Sequence, residues 1–414
     1  MNRSRTIVLL AGSLVIAGVL GGCGPAKEGP MAPVFYPPPP DVPRLQYLMT
    51  IKNAEEWQQR GSSFLDFVVG RNKTEEGEIR GPYGVALRDG KLYVCDLGFL
   101  RIHVIDLVNK RYSVLGTPDQ IKRPANIVID ADGTKYVADT GKQQVIVFNA
   151  QDQYVRAIGD PEKCAPISVA IKGDKLFVAD AKGARIQVWT KNGEVTRTIS
   201  GKGNGPDQLQ RPSGIALNSE GHLFVVDQEL TMVKEFDAQG KFVKSIGSPG
   251  DRPGFFARPK GIAIDAKNLI YVADAQWDKI QIFSPEGQLL LFFGEPGVKN
   301  YGLLTPTGVA IDTTSLDLFR KYAAPNFEPE YLLVVTNQFG DNKVTFFAFG
   351  HPKEMPAGTP ETGVAAEKAK TPPAPAVPGA VPAAEKPKEP SAPASPAAAS
   401  AAPAKTPATE KPKE

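Results

Sequence analysis

Between residues 44 and 350 short apolar runs alternate with turn residues, and the alternation has a long period. A proline precedes a strand-like run at Pro82, Pro124, Pro166, Pro212, Pro259 and Pro306, at steps of 42, 42, 46, 47 and 47 residues. After it comes a short run, as in Gly214-Ile215-Ala216-Leu217. A turn containing Gly or Asn follows, then a second run that closes on Asp. These second runs are Leu92 to Asp96, Lys135 to Asp139, Leu176 to Asp180, Leu223 to Asp227 and Ile270 to Asp274. Third runs such as Arg185 to Trp189 and Lys279 to Phe283 come next. A fourth ends in Gly, as in Phe242 to Gly247. The runs are rich in β-branched and aromatic residues and are bounded by turn residues, which predicts strands. Four short strands in each repeat of this length predict one propeller blade, and six prolines predict six blades in an all-β fold.

Pro-x-Gly-Ile-Ala, Tyr-Val-Ala-Asp and Arg-Ile-Gln-Val resemble the NHL repeat family, and the resemblance covers nearly all of residues 44 to 350. It implies a six-bladed β-propeller. The sixth copy departs from the pattern. Thr336 is read as standing where the others have Asp, and an insertion from Thr314 to Tyr331 separates its first two strands. The copy ends after its third strand, Lys343 to Phe347. Its missing fourth strand is expected in Leu45 to Ile51, so that strands from both ends of the body close the ring and leave no free sheet edge. Ala54 to Val69 is expected to form a short helix or an irregular link.

The ends differ from the body. Arg3 and Arg5 precede an apolar run, Ile7 to Leu20, which is short for a membrane span. Leu20-Gly21-Gly22-Cys23 follows and resembles the lipobox of bacterial lipoproteins. That resemblance implies a signal peptide over residues 1–22, acylation of Cys23 and, with Gly24 next, anchoring at the outer membrane. An uncleaved anchor or an ordinary secretory peptide is the alternative. Residues 23–43 carry the lipidated cysteine and a stalk containing Pro37 to Pro40, expected to be semi-rigid polyproline. Residues 351–414 are almost all Pro, Ala, Lys, Glu, Ser and Thr. Such a composition cannot offset the entropy of ordering, so a disordered tail is expected. Cys95 and Cys164 fall two blades apart. No Cys-x-x-Cys-His occurs, so no c-type haem and no other cofactor is expected. A net charge of +3 on 414 residues does not suggest nucleic acid.

Some NHL propellers are enzymes. A related amidating lyase holds zinc with several histidines. This chain has three, His103, His222 and His351, at unrelated places in the repeat. Zinc needs three or four N/S ligands at one point. Lactonase-like propellers hold a divalent ion with acidic and amide residues, for which Asn126 and Asp265 are the candidates. The recurring Asp96, Asp139, Asp180, Asp227 and Asp274 fit a structural role instead, accepting hydrogen bonds from turn N–H groups. Ile79, Ile121, Leu209, Phe256 and Leu303, each three residues before a repeat proline, are expected to wedge between blades. No metal site is expected.

One pattern is not required by the repeat. Three residues beyond the second strand stand Phe99, Leu230 and Trp277 in blades 1, 4 and 5, with Phe339 approximately matched in blade 6. Blades 2 and 3 have Lys142 and Gly183 there. These turns share a face with the connectors that carry Tyr83, Arg211, Arg258 and Lys260. An arc of apolar turn residues with a basic inner border predicts a docking surface, unless each lies down on its own blade. The reading is therefore a lipid-anchored scaffold that binds a protein partner in the envelope or at the cell surface, without catalysis. Some bacteria that export multihaem cytochromes carry lipoproteins resembling this one, which places such cytochromes among the candidate partners. The alternatives are a metal-dependent lyase or lactonase-like hydrolase using the channel, and a cell-wall or polysaccharide binder.

Overall fold

A computed structural model of the chain describes residues 31–57 and 77–354. Six antiparallel sheets form a ring, and each is one blade. Blade 1 consists of Pro82–Arg88, Lys91–Asp96, Arg101–Asp106 and Arg111–Val114. Blades 2 to 5 repeat this order from Pro124–Ile129, Pro166–Lys172, Pro212–Leu217 and Pro259–Ile264. Each first strand touches the first strand of the next blade, and the sixth, Pro306–Asp312, touches the first, so these strands wall a central channel.

Six hydrophobic clusters hold the ring, one between each neighbouring pair of blades. A second strand therefore faces two clusters at once. Leu92 and Val94 pack towards blade 6, while Tyr93 and Cys95 pack towards blade 2. This two-sided burial is why these strands read as continuous apolar runs. Ile79, Ile121, Leu209, Phe256 and Leu303 are all buried in these inter-blade clusters. Cys164 does the same between blades 2 and 3, and burial pushes its thiol up to about 12. Cys95 and Cys164 are both free.

The glycine two residues after the repeat proline has a steric cause. A Cβ on Gly84, Gly214, Gly261 or Gly308 would lie 2.5, 2.5, 2.3 or 2.2 Å from a carbonyl oxygen of the next blade. Only glycine lets the inner strands approach so closely. Blades 2 and 3 have Asn126 and Ser168 there. Asn126 turns the departure into a stitch, its Oδ1 accepting the Val169 N–H of blade 3 at 3.0 Å.

Blade 6 closes the ring as expected: Leu45–Ile51 pairs antiparallel with Val344–Pro352, from Leu45 opposite Phe349 to Ile51 opposite Val344. Four expectations need correction here. The first concerns the residue equivalent to the recurring Asp. Pro306 lies opposite Asn337 as Pro82 lies opposite Asp96, so that residue is Asn337 and not Thr336. The second concerns the third strand, which runs on to Pro352 and includes His351, because Phe327–Asn337 is long enough to pair with all of it. The third concerns the proline-rich stalk. Phe35–Tyr36 adds a fifth strand to blade 6, and Tyr36 packs against Phe293 and Phe347, so the folded body begins before residue 44. Two aromatic side chains supply the apolar area that a solvated stalk lacks. The fourth is that closure does not remove sheet edges. The outer strand of each of blades 1 to 5 stays unpaired on one side; shortness blunts it instead, helped in blades 1 to 4 by polar residues, as in Arg111–Val114, whereas Leu289–Phe293 of blade 5 has none.

Ala54–Trp57 forms the expected short helix, and residues 58–69 lie outside the described residues. So do Cys23 and the signal segment, as well as residues 355–414. The insertion of blade 6 holds a helix, Leu316–Phe319, and a 3-10 turn, Arg320–Tyr322. Phe319 stacks on Phe346, and Ser315 and Thr314 accept the N–H groups of Gly90 and Asp89 in blade 1. The insertion therefore braces the blade that closes the ring.

Candidate functional site

The recurring carboxylates build one face of the molecule. Asp139 accepts four backbone N–H bonds, from Lys122, Arg123, Gly141 and Lys142, at 2.7 to 2.9 Å. Two come from the connector before the repeat proline and two from the turn between strands two and three. Asp96 and Asp227 do the same in blades 1 and 4. Beside this latch, the N–H after the carboxylate residue donates to the carbonyl before the proline, as in Gln228 to Arg211 and Gln338 to Thr305. Connector and turn are thereby fixed together on the same face in every blade.

The turn residues predicted to project from this face behave unequally. Phe339 is 56% exposed and Leu304, its neighbour, 38%. Phe99 is half-buried between the guanidiniums of Arg80 and Arg101, 4.3 and 4.6 Å from its ring centre. Trp277 is half-buried against Phe292, ring centres 5.3 Å apart, and Leu230 is half-buried too. Three of the four therefore lie partly on their own surroundings. The register of blade 6 also moves the match, so that Gly340, not Phe339, stands three residues past the latch. One residue further on, the chain passes through the left-handed region at Leu100, Gln143, Ala184, Thr231 and Asp278. Leu100 is 49% exposed in that conformation, beside Val114, Pro118 and Ile121 in a groove between blades 1 and 2.

The basic border does converge. Tyr83 and Lys260 hold the same repeat position, one residue past the proline, and the Lys260 ammonium lies 5.4 Å from the Tyr83 ring centre. Burial raises the Tyr83 hydroxyl, opposed by the Gln228 amide and by the guanidiniums of Arg211 and Arg258. Burial, with Arg258 beside it, pushes Lys260 down to about 8. Gln338 Oε1 accepts from Lys260 Nζ at 2.9 Å. Gln228 and Gln338 were not singled out from the sequence, although both occupy the position just after the latch residue. Arg123 was also passed over, although it precedes its proline as Arg211 and Arg258 do.

Tyr83 and Lys260 also line the central channel. Its lining includes Asn126, Ser168, Ser213 and Thr307, and Lys260 is its one charged residue among those described. The free volume, about 40 Å³, suffices for a few waters. Asp265 is not part of this lining. It accepts the hydroxyl of Tyr331 at 2.6 Å and the N–H groups of Lys267 and Leu269, so the two lactonase-type candidates do not meet. The histidines are apart as well. His103 is buried between Asp96 and Tyr112, His222 pairs with Glu235 at 2.6 Å, and His351 lies opposite Glu328 in blade 6. No group of three or more His, Cys, Asp or Glu converges among the described residues.

A family model described as a 6-bladed beta-propeller matches residues 208–291. The fold is that of the six-bladed propellers. Solved structures are similar across most of the body. A gluconolactonase from Xanthomonas campestris is 14% identical, with a TM-score of 0.50 over 66% of this chain and 86% of that one. A protein of unknown function from Bacteroides thetaiotaomicron is also 14% identical, with a TM-score of 0.50 over 66% and 70%. The virginiamycin B lyase of Staphylococcus aureus is 15% identical, with a TM-score of 0.45 over 69% and 87%. Likeness at this identity shows the fold alone. No curated protein matches the chain. The NHL repeat type expected from the motifs is finer than the family model, which describes six-bladed propellers in general.

Proposed function

We propose that the chain is an envelope lipoprotein, held by acylated Cys23, whose propeller binds a protein partner on the latch face. The observation that carries this reading is the continuity of two surfaces there. Phe339 and Leu304 are exposed side by side, and Gln338, next to Phe339, bonds the buried Lys260 of the basic mouth. An exposed apolar patch beside a polar, charged centre has the make-up of a protein interface. Leu100 adds to it, since an exposed leucine at positive φ helps the fold in neither respect. The channel supports enzymatic readings less well. Its charged lining residue is a cation, which opposes a divalent metal.

The test is a paired melt and binding measurement. Phe339→Ala is expected to keep its urea midpoint, since exposed substitutions stay within about 0.5 kcal/mol. It should weaken the partner complex by roughly tenfold or more, as loss of an interface aromatic does. An unchanged complex for both Phe339→Ala and Leu100→Gly would sink the reading.

A further inference from the structure

Lys260 is a buried cation without a counter-ion. It is 9% exposed, and its ammonium, with three N–H donors, makes one hydrogen bond, to the neutral Gln338 amide. The Tyr83 ring is its other favourable contact. Its charged neighbour, Arg258, has the same sign. Among the described residues no carboxylate is within ion-pair distance of Lys260, Arg211 or Arg258. Other lysines of this body find acceptors when buried: Lys234 reaches the carbonyls of Gly205 and Gln208, and Lys135 reaches Asp152 and two carbonyls. A desolvated charge without a partner is unfavourable to the fold. A concave, low-dielectric mouth also focuses its field outward.

We propose that the mouth binds a carboxylate of an acidic peptide segment, held between the Lys260 ammonium and the guanidiniums of Arg211 and Arg258, with the Tyr83 hydroxyl as a further donor. The inference rests on the docking-face reading and names the chemistry of the partner. A carboxylate satisfies the spare ammonium donors, and its two oxygens match a guanidinium fork. Reach selects the carrier. The Lys260 ammonium is buried, so the carboxylate that meets it sits on a flexible stem, an Asp or Glu side chain or a C-terminus. A uronic acid carries its carboxylate directly on a rigid ring, which shortens that reach.

The probe is fluorescein-labelled hexaglutamate, titrated with the full-length protein by fluorescence polarisation. Hexaglutamine serves as the uncharged control, and inorganic phosphate and galacturonate as competitors. Hexaglutamate is expected to bind and hexaglutamine not to. Phosphate and galacturonate should compete no better than acetate at equal ionic strength. Lys260→Met should weaken hexaglutamate binding at least tenfold with no fall in melting temperature, since it removes an unpaired charge. Raising the pH from 7 to 9 should weaken the parent and leave Lys260→Met unchanged, because the ammonium is lost through about pH 8. If Lys260→Met melts early, the exposed Arg258→Gln decides in its place by the same criterion. Equal binding of hexaglutamine, displacement by phosphate or galacturonate, or full binding by the variant overturns the proposal. A partner complex that survives Lys260→Met but is lost in Phe339→Ala would leave the docking reading standing and this one refuted.

Discussion

At the scale of single residues the latch carboxylate does most to shape this protein. Asp139 is fully buried and accepts four N–H bonds. Asp139→Ala leaves those donors without an acceptor, at about 1 kcal/mol or more each. A loss of about 4 kcal/mol in urea unfolding is expected, and a loss below about 1 kcal/mol would contradict the role. Asp96 adds a pH dependence. Burial opposes its ionisation, but the His103 ring and the N–H groups of Arg80 and Gly81 outweigh burial and hold its carboxyl well below the usual range. With the folded pKa below an unfolded value of about 3.9, its contribution is present above that pH and is lost as pH falls below it. Burial also lowers His103, so protonation of the unfolded chain removes further stability from about pH 6.5 downward. The urea midpoint should therefore fall on acidification, and below about pH 4, where Asp96 would be protonated in the unfolded chain, less steeply in Asp96→Asn. Leu100→Gly should act oppositely on fold and function. It frees a residue held at φ 56° and is expected to stabilise by up to about 1 kcal/mol while weakening partner binding.

At the scale of elements the closing blade is the vulnerable one. Leu45–Ile51 supplies the fourth strand of blade 6, and Leu45 and Ile51 are fully buried. Deleting residues 44–51 strips Val344–Pro352 of its partner and opens two inter-blade clusters. The whole body should then lose cooperative melting. Deleting residues 355–414 should leave the melt unchanged, because that composition has almost no large apolar side chain to bury. Comparable damage from both truncations would refute the closure scheme. The period and the strand count were legible because each strand is short and bounded by its own turn residues. The reach of the last strands was not. Phe327–Asn337 and Val344–Pro352 outrun the repeat, and their length is fixed by pairing with each other.

At the scale of the whole molecule, membrane attachment and docking are separable. Among the described residues no helix is long and apolar enough to cross a membrane. If acylated Cys23 is the anchor, Cys23→Ser should yield a folded protein that leaves the membrane fraction in a carbonate wash. A variant that still pellets would show another membrane-directed feature. The propeller should meanwhile keep its hexaglutamate affinity, since the mouth lies in blades 1, 4, 5 and 6 of the folded body.

The sequence by itself determined the ring. Proline spacing, apolar runs and recurring aspartates are local features repeated at a fixed period, and each blade buries its faces only against copies of itself. It also named Tyr83, Arg211, Arg258 and Lys260 as residues of one face, because connectors and turns alternate sides in any antiparallel blade. Tertiary structure decided what those residues are worth. Lys260 and Gln338 are 78 residues apart and meet only because blades 5 and 6 adjoin. Whether Phe99 stands free or lies between Arg80 and Arg101 depends on how the connector folds back, which its spacing cannot express. The match of Asn337 to the aspartates was hidden for a related reason. A strand register is set by pairing across the sheet, and a single residue of slip exchanges the side chain at the latch for the one beside it.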